Sequence, residues 1–535
     1  QFAEVVPAKL AGISPKLEAL RALRLPVSGM LEFELSREGA LVGRINFDLT
    51  GGPGSLDMPD LIPVPPNIVS MRLRGNSDVA FDHLHIETLF VDTGGPTFSF
   101  NGEISGAPGQ SAIHGDFEFK EMPFNDLDNY WPDSLMVNAR HWILGNVFDG
   151  VIANFTAHLD FKPGELELIE ENGLRPDALD VAFTIRDATV NYFPQQPFAY
   201  GVDGEGHLDG ASMTLNMRDG TIEEMYAPTA VALIRDLMQD TATLTIIVNI
   251  EGPADNAIRL LDGPRLGFPS KMGLSDKQFS GHVTAEMGVQ FPFRSYVTFE
   301  EVQFAAIARL EDLTVRDLFG GYDLEAENLR LTLDENNLEV GGSVSLAGMP
   351  ATIKWIENFS PQAPFQSRYE VSSVLDASAR EKFGIDVGSY AQGPFDMNLT
   401  YTVSPDGTQH IAAALGAENV LMEIPELFWR KPAGEEASIL VLARLEDRKN
   451  VEITNFELHS NDLRVKGRAT IGPEHGELIS ADLDSVQFGD NDLTVSFRRD
   501  GENSMVLDVT GKSLDLRPYI DQLLDSDQGN LPPFI

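Results

Sequence analysis

Across almost the whole chain, apolar residues fall at every second position for a short stretch, stop at a Gly, Asn, Asp or Pro turn, and begin again. Val283, Ala285, Met287, Val289 and Phe291 form one such stretch; Leu338, Val340, Val344 and Leu346 form a second; Met397, Leu399, Tyr401 and Val403 form a third. Successive side chains of a strand point to opposite faces, so period two puts each set on one face. Arg330, Thr332 and Asp334 alternate with Leu329, Leu331 and Leu333, which makes the other face polar. The pattern describes antiparallel sheet with one apolar and one solvated face. What covers the apolar face then decides the function.

The 535 residues would suffice for several ordinary domains, yet no long low-complexity linker and no sharp change of composition divides them. Strand signals begin at Leu31–Leu35 and Leu41–Leu49 and continue through Val69–Leu73, Val79–Ile86 and Phe98–Ile104. Between Asp126 and Gly145 the rhythm becomes helical, with Leu127, Trp131, Leu135, Ala139, Trp142 and Ile143 at helical spacing. The expected organisation is a first β-groove segment over 1–125, a helical interruption over 126–146, and continuing groove segments with short helices over 147–535. Those helices are expected at Pro228–Met238, Pro253–Asp262, Asp376–Phe383 and Pro518–Leu524, each too short to cover a large sheet. Asp187-Ala188-Thr189-Val190 and Asp312-Leu313-Thr314-Val315, with Phe193 or Phe319 following, suggest a degenerate repeat, and Pro264–Pro269 reads as a loop. About 25 strands at roughly 4.8 Å spacing would extend on the order of 120 Å, and sheets that large curl or split. Curling gives an open apolar groove, splitting gives packed sandwiches, and periodicity alone leaves both open. The expected fold class is mainly β: a long, continuous, twisted antiparallel sheet curled into an open groove.

Lys and Arg number 39 against 82 Asp and Glu, a net charge of −43. That charge repels phosphate backbones and anionic headgroups, which excludes nucleic acid as a partner. With no cysteine there is no disulfide framework or thiolate metal site. No apolar run of about 18 residues or more exists to cross a bilayer. The opening Gln1 reads as a cut or processed chain, with any anchor or export signal outside it. G-x-S-x-G, P-loop and H-E-x-x-H motifs are absent. Gly204-Glu205-Gly206-His207-Leu208-Asp209-Gly210 reads as a hairpin loop, and Asp490-Asn491-Asp492 as a turn. His83, His85 and Glu87 on one strand face would suit a metal, but a polar outward face explains them more simply. No catalytic residue, metal site or cofactor is assigned, and an enzyme is not expected.

Tyr130-Trp131-Pro132, then Ala139-Arg140-His141-Trp142, then Gly150 before a strand, resemble the central region of the YhdP branch of AsmA-like proteins. Trp429-Arg430-Lys431-Pro432-Ala433-Gly434 is similar to a second block of those proteins, in the same order, and Leu514-Asp515-Leu516-Arg517-Pro518-Tyr519 to their strand-then-helix pieces. The resemblance implies a long β-sheet trough lined with apolar side chains. It also implies a periplasmic location, tethered to the inner membrane of Gram-negative bacteria by an anchor outside this chain, and carriage of phospholipid towards the outer membrane. Implied partners are phospholipid acyl chains, the inner membrane, and outer-membrane or periplasmic proteins.

Parity selects the residues that would line such a groove. Near the start they are Phe33, Leu35, Ile45, Phe47, Met71 and Leu73. Phe155, Leu159, Phe183, Ile185, Met213, Leu215 and Met217 follow, then Leu244, Ile246, Val248, Val283, Met287 and Val289. The series resumes at Leu331, Leu333, Val344, Leu346, Ile353, Met397 and Leu399 and closes with Val465, Val495, Phe497, Leu507 and Val509. A bulge would shift the face by one residue. Two other readings fit the alternation. One is a structural or adhesive β-sandwich protein that binds protein or glycan through exposed Trp131, Trp142, Trp355 or Trp429. The other is a scaffold that captures partner strands at its sheet edges.

Overall fold

Short polar turns return each strand beside its predecessor. At 334–337, Asp334 Oδ1 accepts the backbone N–H groups of Asn336 and Asn337 at 2.7 and 2.9 Å. At 404–408, Asp406 Oδ1 takes the Thr408 N–H at 2.9 Å and Gly407 supplies a φ of 84°, the left-handed conformation that glycine adopts without strain. The computed structural model describes residues 1–520 other than 14, 59–61, 108–109, 134, 167, 169–174, 176, 193–195, 210–211, 238–240, 263–269, 271–273, 295–296, 299–300, 320, 386, 389, 446–449, 473–477, 500–503 and 518–519. Its 28-stranded antiparallel sheet does not close into a barrel, and the two other sheets have three short strands each. The fold is therefore mainly β, with few short helices.

The chain divides into two compact units, Gln1–Asp276 with Val283–Ala306, and Lys277–His282 with Ile307–Ile535. In the first, each of Val27–Leu35, Leu41–Gly51, Ser70–Asp78, His83–Asp92, Thr97–Ser105, Ala112–Pro123, Val151–Phe161, Leu179–Val190, Ala199–Asp209, Ser212–Ile222, Met225–Arg235 and Thr243–Pro253 pairs antiparallel with the next. In the second, the same meander runs through Tyr322–Asp334, Asn337–Leu346, Met349–Asn358, Ser367–Leu375, Phe395–Val403, Gln409–Gly416, Ala437–Leu445, Val451–Ser460, Leu463–Ile471, Leu478–Phe488, Asn491–Arg499 and Met505–Ser513.

Insertions interrupt each meander at a few connections. A 3-10 turn, Phe124–Asn129, and an α-helix, Val137–Asn146, separate two strands of the first unit. The helix Ala377–Lys382 and a small sheet of Ala391–Gln392, Leu421–Ile424 and Trp429–Lys431 are inserted in the second. Asp376 caps that helix, its Oδ1 accepting the Ala379 N–H at 2.8 Å. Ala254–Leu261 is helical with Pro253 as its N-cap, close to the expected Pro253–Asp262.

Three expectations fail. Pro228–Met238 is not a helix: residues 225–235 form the strand Met225–Arg235. The Gly204–Gly210 string is not a hairpin loop, because residues 204–209 lie within the strand Ala199–Asp209. Val79–Ile86 is not one strand: Asp78 Oδ1 takes the Asp82 N–H at 2.9 Å, turning the chain before His83–Asp92 begins. Phe193, Gly210, Met238, the Pro264–Pro269 loop and most of Pro518–Leu524 lie outside the described residues.

Candidate functional site

Direct cross-strand pairing joins alternate residues into rows that run perpendicular to the strands, all on one face. In the first unit one row passes through Met71, Val91, Phe98, Phe119, Phe155, Phe183, Gly206, Leu215, Ala232 and Ile246. Beside it run Leu49, Leu73, Leu89, Phe100, Phe117, Ala157, Val181, Leu208, Met213, Ile234 and Leu244. On the other flank are Met122, Ile152, Ile185, Gly204, Met217, Ala230 and Val248. Phe119 and Phe155 stack with ring centroids 4.4 Å apart, and Phe155 stacks on Phe183 at 6.4 Å.

Four rows form the equivalent face of the second unit. The first contains Val344, Ala351, Ser373, Met397, Leu415, Ile439, Leu458, Val465, Val486 and Leu493. The second contains Leu329, Gly342, Ile353, Val371, Leu399, Ala413, Val441, Phe456, Gly467, Leu483, Val495 and Val509. The third contains Leu331, Val340, Trp355, Tyr369, Tyr401, Ile411, Ala443, Ile453, Ala469, Ala481, Phe497 and Leu507. The fourth, beside the short turns, contains Leu333, Leu338, Glu357, Ser367, Val403, Gln409, Leu445, Val451 and Ile471. About a dozen strands at ~4.8 Å spacing make each full row on the order of 50 Å long.

Many of these side chains are only half-buried. Phe155, Phe183, Leu215 and Ile246, and Ile353, Leu399, Val495 and Phe497, are intermediate in exposure. The inserted elements cover part of each face. In the first unit Trp131, Met136 and Trp142 join one apolar cluster, while Leu127, Tyr130 and Ile143 join the next. In the second, Ala379, Ala391, Val420, Met422 and Trp429 close over the first row at Leu458, Val465, Val486 and Leu493. The opposite faces are polar, with ion pairs Arg74–Glu87 at 2.8 Å and Lys466–Glu457 at 2.9 Å and a contact of His158 Nδ1 with Asp116 Oδ1 at 2.8 Å.

The residues selected by parity lie mostly together. Ile45 stands opposite Ser77, and Phe47 between Leu31 and Gly75. Leu159 extends the first unit's face, opposite Gly115 and Leu179. Leu346, between Leu324 and Met349, extends the second unit's. Val283, Met287 and Val289 share the strand Phe279–Pro292, where Val289 packs on the cluster containing Phe291. Phe33 and Leu35 stand apart near the tip of the first hairpin, 52% and 57% exposed, and Leu507 and Val509 are exposed on Met505–Ser513. His83 and His85 alternate with the inward Leu84 and Ile86, and Glu87 pairs with Arg74. Among the described residues no cluster of three or more His, Cys, Asp or Glu has metal-binding geometry.

The match to the YhdP protein family spans residues 34–532, nearly the whole chain. The chain belongs to the YhdP family. A search among curated proteins finds no significant match. Lipid transport is the role of the YhdP family, and the blocks that carried the resemblance hold the inserts in place. Arg140 is buried; its guanidinium pairs with Asp128 and, at 2.7 Å, with Asp133, while Nε donates to the Trp131 carbonyl at 3.1 Å. Trp131 Nε1 in turn donates to the Leu135 carbonyl at 2.7 Å. In the second block Trp429 is buried and its Nε1 donates to Asp462 Oδ1 at 2.9 Å. Lys431, 1% exposed, donates from Nζ to the carbonyls of Glu418, Pro432 and Glu435 at 3.3, 3.0 and 2.7 Å. Burial pushes its ammonium below the usual lysine value. None of the four tryptophans is exposed.

Several face residues of this YhdP-family chain lie outside the set that parity selects. The Phe-x-Phe pairs Phe98/Phe100 and Phe117/Phe119 carried the same alternation and were a readable signal. The ladder Trp355–Tyr369–Tyr401, with centroids 5.9 and 5.8 Å apart, comes together only through register. Burial raises the phenol pKa of Tyr369 and Tyr401, with Glu357 adding to the effect on Tyr369.

Proposed function

We propose that the half-buried apolar rows hold phospholipid acyl chains and let them move from strand to strand, making this YhdP-family chain part of a lipid conduit between inner and outer membrane. The observation that carries this reading is the set of rows left half-covered on one face of each unit. A sandwich would have buried them under a second sheet of similar size. Each CH₂ removed from water stabilises a bound tail by roughly 0.8 kcal/mol. Aliphatic and aromatic walls repeat from strand to strand, so adjacent positions offer similar affinity and no single deep well. Headgroups remain in water beside the turns. The process needs no covalent chemistry, and a periplasmic setting with a tether to the inner membrane belongs to the same proposal. Among the described residues no helix is long and apolar enough to cross a membrane.

The test is transfer of labelled phospholipid between vesicles, together with mass spectrometry of lipid bound to the purified chain. Leu331→Asp and Phe497→Asp are expected to block transfer while circular dichroism stays unchanged. Thr332→Asp and Ser496→Asp, each one residue away on the polar face, should transfer normally. A lipid-free wild-type chain whose row variants behave like the polar-face variants would overturn the reading.

A further inference from the structure

One acidic group stands in the four rows of the second unit. Glu357 lies between Leu338 and Ser367 in the fourth row and is 8% exposed. Its partners are neutral: Trp355 Nε1 donates to Oε2 at 3.4 Å, and the Ser367 and Gln366 side chains also hydrogen-bond to it. Burial raises its pKa, and no Lys or Arg contributes to holding it ionised. A carboxylate this buried without a cation is costly, and the four rows contain no Lys or Arg to supply one. Beside it stands the half-exposed ladder of Trp355, Tyr369 and Tyr401. Aromatic side chains with polar tips suit the boundary between hydrocarbon and water, and their rings attract cations. From Glu357 to Met349, which joins the cluster under the inserted cap, is roughly 25 Å along the strand, with Ile353, Val371 and Leu399 between.

These facts order the face chemically, with aliphatic rows toward the cap, then amphipathic rings, then one carboxylate beside the turns. We propose that Glu357 and the Trp355–Tyr369–Tyr401 ladder form a headgroup station that selects phospholipids bearing a primary ammonium. The ammonium supplies the missing counter-charge to Glu357, the Tyr hydroxyls donate to phosphate or ester oxygens, and the tails lie along the aliphatic rows. A headgroup whose only charge is the phosphate finds no cation here and meets the carboxylate instead. The proposal rests on the conduit reading and adds a preference that the reading does not require.

The test offers the full chain vesicles containing equal amounts of phosphatidylethanolamine and phosphatidylglycerol, and reads the bound lipid by mass spectrometry. The wild type should bind the ethanolamine lipid in about tenfold excess, the scale of one charge-assisted hydrogen bond. Glu357→Gln should bring the ratio close to unity while total bound lipid stays the same. Glu339→Gln, on the polar face where Glu339 pairs with Lys354 at 3.1 Å, should leave the ratio unchanged. Equal binding of the two lipids by the wild type overturns the proposal even if Glu357→Gln fails to fold, and so does an unchanged ratio in a folded Glu357→Gln. Absence of both lipids overturns the conduit reading and this proposal with it.

Discussion

Gly206 and Phe183 show how one missing side chain shapes the face. They are directly paired, and a Cβ on Gly206 would sit 2.1 Å from Phe183 Cζ and 2.4 Å from Cε1. The ring therefore occupies the space a side chain would take. Gly206→Ala should displace Phe183 from its stack on Phe155 and destabilise the protein by about 1–3 kcal/mol, as overpacking does. Gly220→Ala is the control, since its Cβ would meet Val202 Cγ2 at an ordinary 3.4 Å, and its stability should hold or rise; urea unfolding of both variants decides. Glu357 gives the second residue-scale prediction. Its folded pKa lies above the unfolded value, so the folded state holds the proton more tightly. The associated stability is fully present below the unfolded pKa and is lost as pH rises through the folded one. Wild type minus Glu357→Gln stability should therefore fall as pH rises from about 4 towards neutrality. A flat difference would show that burial does not perturb the carboxyl.

The strands were readable where one face was polar, as at Leu329–Asp334, and obscured where it was not. Met225–Arg235 turns Ala230, Ala232 and Ile234 inward, while Val231 and Leu233 pair with Ile247 and Thr245 on the other face. Small residues inside and large ones outside erase the alternation, so Val231, Ile234 and Leu237 mimic helical spacing. Residues 204–209 resemble a loop for a related reason. Gly204 and Gly206 leave room for neighbours on adjacent strands, a need that local sequence does not display. The inserted helix was legible from its spacing, but its seat on the apolar face was not, because that depends on Arg140 reaching Trp131, Asp128 and Asp133. Arg140→Ala removes that tie and leaves the Trp131 carbonyl without its donor. The loss is expected to be about 2 kcal/mol, with faster amide exchange confined to 124–146. Uniform exchange across the strands of the first unit would instead make Arg140 a general stability residue and not a tie for this insert.

At the scale of the whole chain, acidity and ion pairing oppose one another. The polar faces carry many exposed ion pairs, among them Arg186–Glu121 at 2.7 Å and Lys512–Asp492 at 2.9 Å. Each exposed pair contributes ~0–1 kcal/mol, and salt weakens it. Against them stand 82 acidic residues facing 39 basic ones, so carboxylates outnumber cations about two to one and the excess repels itself. Between about 0.01 and 0.1 M salt the Debye length shrinks from ~30 to ~10 Å, which leaves contact pairs largely intact while removing repulsion between more distant carboxylates. Screening of the repulsion should therefore win, and the thermal unfolding midpoint should rise over that range. The same screening should speed encounter with anionic vesicles, which the net charge of −43 otherwise slows. Leu331→Asp should not recover transfer under these conditions, because its defect lies in the apolar row and not in the approach to the membrane. A midpoint that falls with salt would mean that local ion pairs, not the acidic excess, dominate the electrostatics of the fold.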